Sequence, residues 1–171
     1  MRIRILGCSG GIGAGRRTTA LLVDDDILID AGTGVGELDL EALARVDHLF
    51  LTHSHLDHVA ALPMLLDTVG AVRRAPLTVH AQDATLAALR GHIFNSVIWP
   101  DFSRIPTPEK PFMTYATLTP GTEVVLGKRR VRSVPVNHVV PAVGYLVRGP
   151  GGSLAFSGDT TVNDGFWQAL N

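Results

Sequence analysis

From Arg2 to Leu6 the chain alternates charged and branched apolar residues, then breaks on Gly7, Gly10, Gly11, Gly13 and Gly15. That pattern predicts a strand opening into a flexible loop. Apolar runs at residues 18–23 and 27–30 flank Asp24-Asp25-Asp26, which predicts a hairpin with a charged tip. Leu38, Leu40, Leu43 and Ala44 recur at helical spacing, followed by an expected strand at 46–51 and a second helical pattern at 56–69. A strand at 77–80 and a helix at 83–90 continue a β-α-β-α rhythm. From 91 to 111 the periodicity fails: Pro100, Pro106, Pro108 and Pro111 space out an irregular segment that holds Trp99 and Phe102. A loop of this length inside a folded unit is usually functional. Residues 113–118, 123–126, 129–135, 142–148 and 153–156 then read as strands joined by glycine turns, and 163–170 reads as a helix. No repeat or linker interrupts the chain, so one domain over residues 1–171 is expected.

Composition narrows the classes. At 46% apolar and 18% charged the chain is not disordered, and its 18 glycines and 10 prolines suit many tight turns between short elements. Sixteen acidic residues against fifteen basic ones give a net charge of -1. That balance leaves no broad electrostatic footprint for membrane or long nucleic acid and favours a small-molecule substrate. The single Cys8 excludes a disulfide framework and a cysteine zinc cage. No uncharged run reaches the length of a spanning helix, and no secretory signal pattern is present, so a cytoplasmic protein is expected.

The chemistry concentrates in His53-Ser54-His55-Leu56-Asp57-His58, four metal-ligand side chains at the end of an apolar strand. Alternate residues of an extended segment point the same way, so His53 and His55 can grip one ion while the turn into the next helix aims Asp57 and His58 at a second. Imidazole with carboxylate suits zinc first, with manganese or iron as alternatives. His138 and Asp159 each follow an expected strand, and in a layered fold the ends of neighbouring strands converge. A carboxylate such as Asp159 can bridge two cations; its competing role is a helix N-cap.

The pattern His-x-His-x-Asp-His, then a lone His, then Gly-Asp resembles the metallo-β-lactamase superfamily. Within it, residues 53–66 and the segment from His92 to Phe102 resemble the class II cyclic-nucleotide phosphodiesterases, as do Ser9-Gly10-Gly11-Ile12-Gly13 and Leu28-Ile29-Asp30-Ala31-Gly32-Thr33. The resemblance implies an α/β fold, the αββα sandwich, with His53, His55 and His138 on one metal, Asp57 and His58 on the other, and Asp159 bridging. Asp30 would support the metal loop from behind. The family pattern closes with a further histidine, and none follows His138, so the chain reads as incomplete at its C-terminal end. The implied activity is dizinc hydrolysis of 3′,5′-cyclic nucleotides to 5′-monophosphates, with Asp57 and Asp159 beside the reacting atoms and a homodimer allowed. The alternatives are another hydrolase of the superfamily (thioesterase, lactonase or tRNA 3′-end endonuclease) or a truncated metal-binding fragment without activity.

Weaker candidates complete the set. The glycine-rich loop matches neither the dinucleotide fingerprint nor a phosphate-binding loop, yet it would flank the metal edge, where Arg16 or Arg17 could meet a substrate phosphate. His92, Asn95, Trp99 and Phe102 could form a lid whose aromatics stack on a base; packing of the irregular segment against the domain is the competing role. His48, His80 and Cys8 are read as structural.

Overall fold

The computed structural model describes residues 1–170. In chain order its elements are β1 (Ile3–Gly7), β2 (Ala20–Val23), β3 (Ile27–Ile29), α1 (Leu40–Arg45), β4 (His48–Phe50), α2 (Leu56–Val59), α3 (Leu62–Val69), β5 (Leu77–Ala81) and α4 (Asp83–His92). A small hairpin, β6 (Pro106–Thr107) and β7 (Lys110–Pro111), leads to β8 (Met113–Thr117), β9 (Glu123–Leu126), β10 (Arg129–Pro135), β11 (Val143–Gly149), β12 (Gly152–Phe156) and α5 (Asp164–Gln168). One sheet runs β1-β2-β3-β4-β5-β8 and the other β12-β11-β10-β9. Strands β3, β4, β5 and β8 are mutually parallel, so their C-terminal ends share one edge.

Strands β2 and β3 of the first sheet are apolar throughout because both of their faces are covered. Leu22, Leu28, Leu49, Leu51, Leu77 and Val79 face a core shared with helix residues such as Leu43, Leu62, Leu66 and Leu86. Their neighbours Leu21, Val23, Ile27, Ile29 and Phe50 face Val131, Val143, Tyr145 and Val147 of the second sheet. On the far side of the second sheet, α5 lays Phe166 against Gly144, where an added Cβ would come 2.5 Å from the ring. The layers are those of the expected αββα sandwich, and no helix among the described residues is long and apolar enough to cross a membrane.

The helical pattern at 56–69 folds as two helices rather than one. Ala31 donates to the carbonyl of His58 and accepts from the N–H of Ala61, which diverts the backbone between α2 and α3 onto the end of β3. Pro63, which has no N–H to donate, sits in the first turn of α3, where none is needed.

Between the sheets lie two histidines outside any ligand group. The His48 Nδ1 and His80 Nε2 atoms are 3.1 Å apart, and the His80 ring stacks on Phe50 at a centroid distance of 4.3 Å. Burial, with the charge of His48 added, pulls the His80 pKa down to about 4. The unfolded chain would bind a proton there near pH 6.5, so the contribution of neutral His80 is complete above pH 6.5 and is lost as pH falls from 6.5 to about 4. The loss approaches about 3 kcal/mol. Thermal melts from pH 7 to 4.5 should therefore show a steeper acid slope for the parent chain than for His80→Leu; equal slopes would remove His80 as the cause.

Candidate metal centre

Three strand ends and one turn meet at the edge shared by β3, β4 and β5. Asp30 leaves β3 with a positive φ of 57° and is fully buried. The N–H and hydroxyl of Thr52, beyond β4, both donate to its carboxylate, at 2.8 Å and 2.9 Å. The Thr52 carbonyl accepts from the N–H of Val143, and the Tyr145 hydroxyl donates to the carbonyl of Leu51 at 2.7 Å. These bonds tie the end of β4 to the start of β11 and bring the His138 turn over His53.

The His138 turn is laced in turn to the loop that carries Asp159. Asn137 accepts from the N–H of Thr161 and donates its amide to the carbonyl of Val162 at 2.9 Å, while its own N–H donates to Thr160 Oγ1. Gly158 adopts a φ of 59°, and an added Cβ would lie 3.0 Å from the Thr52 side chain, so only glycine lets this loop close on the strand end. Asp159 does not cap a helix; the N-cap of α5 is Asn163. Gly32 serves the other side: a Cβ there would fall 2.3 Å from the carbonyl of Asp57.

Two ligand groups result, and they share a residue. His53, His55 and His138 form one, and His53, His58 and Asp159 form the other, with the ligand atoms of each within 4.8 Å of one another. His55 Nδ1 and His138 Nε2 are 3.1 Å apart. His58 Nε2 lies 3.5 Å from Asp57 Oδ2 and 3.5 Å from Asp159 Oδ1. Ligand atoms about 2.1 Å from a tetrahedral cation are separated by about 3.4 Å, so these spacings fit shared coordination. Asp57 reaches the second group only through His58.

Protonation follows from the hydrogen bonds. The Thr52 hydroxyl donates to Asp30, so at 2.9 Å it accepts from His53 Nδ1–H, which leaves His53 Nε2 as a buried lone pair with no partner in the protein. His58 Nδ1 donates to Asp30 Oδ2 at 2.7 Å, which turns the Nε2 lone pair of His58 toward two carboxylates. A lone pair facing anions, and an orphaned imidazole nitrogen beside two other imidazoles, are what a divalent cation would satisfy; the donor set fits one. Burial, then the charges of His58, His55 and His138, lower the His53 pKa to about 3, so this ring is neutral and ready to ligate. Burial pushes the Asp30 carboxyl up against the opposing bonds from His58 and Thr52. For His58, burial disfavours the cation, but the bond to Asp30 and the neighbouring Asp57 and Asp159 outweigh it and raise its pKa.

The remaining sequence candidates are not among the ligand groups. Arg16 and Arg17 belong to the glycine loop after β1; Arg17 donates to Glu37 at 2.9 Å and is partly exposed, and Arg16 is exposed. Neither arginine lines the groove beside His138. The segment from His92 to Phe102 departs from the expectation of a lid. Helix α4 begins at the ligand edge and carries the chain back about 15 Å, and Met113, which opens β8, donates to the carbonyl of Phe102. His92, Asn95, Trp99 and Phe102 therefore lie toward the opposite edge of the sheet. Asn95 accepts from the N–H groups of Val97 and Ile98, and Phe102 is buried between Phe94 and Phe112, so this segment closes the end of the helix-side core.

The groove beside the ligands brings in residues that sequence reading passed over, chiefly Gln82 and Pro120. Gln82 directly follows β5, and its place after that parallel strand was the only signal that could have pointed to it.

Residues 25–170 match the family model described as the beta-lactamase superfamily domain. The ribonuclease Z of Methanopyrus kandleri is 30% identical over 155 residues, covering 86% of this chain and 50% of that protein. The chain thus spans about half the length of the curated relatives it matches first. Among solved structures, the metallo-beta-lactamase fold protein YhfI from Bacillus subtilis superposes with a TM-score of 0.72 at 19% identity, covering 95% of this chain and 63% of that one. Unliganded yeast PDE1 superposes with a TM-score of 0.75 at 18% identity, covering 94% and 65%. At those identities the likeness is one of fold.

Proposed function

Because the chain belongs to the beta-lactamase superfamily, a superfamily of metal-dependent hydrolases, we propose that it hydrolyses phosphodiester bonds and that its substrate class is RNA. The observation that carries the reaction type is the pair of ligand groups that meet at the buried His53, one of whose members, His138, lines a groove. The substrate class is supported by the relative named ribonuclease Z. His53, His55 and His138 would hold one divalent ion, and His58, Asp57 and Asp159 a second, with zinc best suited and manganese or iron as alternatives. When bound, such ions acidify water and stabilise negative charge on phosphoryl oxygens.

The chain's own groups supply the rest. Thr52 and Asp30 hold His53 and His58 in the tautomers whose Nε2 lone pairs face the ligand space. Asp57, partly exposed beside His58 Nε2, is the acceptor that takes a proton from the attacking water. Asp159, on a loop laced to the His138 turn, keeps the two groups at a common spacing. An almost neutral chain contacts few phosphates, which sets aside the sequence-based objection to nucleic acid only for short contacts and implies a shallow salt dependence.

A second reading, 3′,5′-cyclic nucleotides, is supported by the resemblance of the segment from His92 to Phe102, but that segment lies away from the ligand edge. The test is hydrolysis of bis(p-nitrophenyl) phosphate, a 3′-extended tRNA transcript and cyclic AMP by chelator-stripped chain, with and without added zinc or manganese. Metal-restored cleavage of the generic diester and of the transcript is expected. Cleavage of cyclic AMP alone would transfer the assignment to the second reading, and hydrolysis of thioesters or lactones with no diester cleaved would overturn both.

A further inference from the structure

Beside His138 opens a groove of about 720 Å³ whose apolar walls include Pro120, Pro135, Val140 and Pro141, and no lysine or arginine lines it. It cannot hold a chain of phosphates. Its walls suit a flat, uncharged group.

The polar side chains along this groove are nearly all committed. Asn137 is bonded to Val162, and Thr161 to the carbonyl of Asn137. His138 belongs to the ligand groups. Gln82 is the exception: its amide nitrogen is buried and without a partner, and the side chain does not cap α4, although Gln82 occupies the N-cap position. Gln82 lines the same groove as His138, directly after the C-terminal end of β5. A buried amide left unpaired forfeits the hydrogen bonds it made to water. Such a group lining a groove at a reaction centre is accounted for by a ligand that pairs with it.

We infer that Gln82 reads the edge of the nucleobase next to the cleaved phosphodiester, with that base lying between the proline and valine walls. The inference rests on the phosphodiesterase reading and adds a specificity residue to it. A primary amide offers one donor beside one acceptor, which matches adenine N7 and N6–H₂; the same edge of guanine offers two acceptors. Adenine is therefore preferred to guanine at this position.

The test uses the full chain with Gln82, Q82A and the near-isosteric Q82M, each checked for an unchanged melting curve. In chelator-stripped protein, adenosine and guanosine binding are titrated by calorimetry. In zinc-loaded protein, kcat/KM is measured for ApA, GpG and base-free bis(p-nitrophenyl) phosphate. The parent chain should bind adenosine more tightly than guanosine. Both variants should lose that preference, and their loss on ApA should exceed their loss on the base-free diester by about tenfold to a hundredfold. Equal losses on ApA and the base-free diester, or no preference between the nucleosides in the parent chain, would overturn the inference. Absence of all diester hydrolysis would instead strike the phosphodiesterase reading, while nucleoside binding still decides the role of Gln82.

Discussion

Replacing His53 by Ala should cost the chain the ion that His53, His55 and His138 would hold and lower phosphodiester turnover on the order of a thousandfold, about 4 kcal/mol of transition-state stabilisation. His53 alone belongs to both ligand groups, and its Nε2 is the atom left buried without a protein partner. His138→Ala removes a ligand of the same ion but leaves His53 and His55, so it should weaken that ion less than His53→Ala does. Metal per chain measured by mass spectrometry after desalting, alongside kcat/KM for bis(p-nitrophenyl) phosphate, separates the two variants. Retention of two ions by His53→Ala would show that His53 ligates neither.

The second large effect concerns Asp30, which touches no substrate space. Its carboxylate accepts from the N–H and hydroxyl of Thr52 and from His58 Nδ1, and it is fully buried. Asp30→Ala leaves His58 Nδ1–H and the Thr52 donors buried without an acceptor, a loss of about 3–5 kcal/mol. For a chain of this size the melting temperature should fall by about 6–20 °C. Asp30→Asn separates stability from chemistry. Its amide oxygen still serves Thr52, but its NH₂ faces His58 Nδ1 and forces the tautomer with the proton on Nε2, where the ligand lone pair was. That variant should melt closer to the parent and bind zinc about 10–100-fold more weakly. Zinc affinity unchanged in Asp30→Asn would mean that His58 does not ligate through Nε2.

Legibility in the sequence varied with how local the cause was. The hairpin around Asp24-Asp25-Asp26 and strands β9 and β10 could be read residue by residue, because alternation and turn residues act within a few positions. The break between α2 and α3 could not, since its cause is the pairing of Ala31 with His58 and Ala61 across about thirty residues of chain. His53, His55, Asp57 and His58 announced themselves by spacing, and His138 and Asp159 by following strands. The sharing of His53 by two groups had no sequence signal.

The irregular segment shows the limit most plainly. Trp99, Asn95 and His92 carry the composition of a binding loop, yet a helix placed after a parallel strand must run back along the sheet, and it delivers the residues after it to the other edge. Gln82 shows the converse: nothing in its neighbourhood in the sequence marks it, and only the fold sets it in the groove that His138 lines. The sequence by itself determined which side chains could bind a cation, which segments would be strands, and the superfamily to which they belong, because ligand chemistry and period-two alternation are local properties of the chain. Which of those side chains meet, which tautomer each imidazole takes and which amide is left unpaired beside the groove were decided only by tertiary structure, because each depends on hydrogen bonds and packing between residues tens of positions apart.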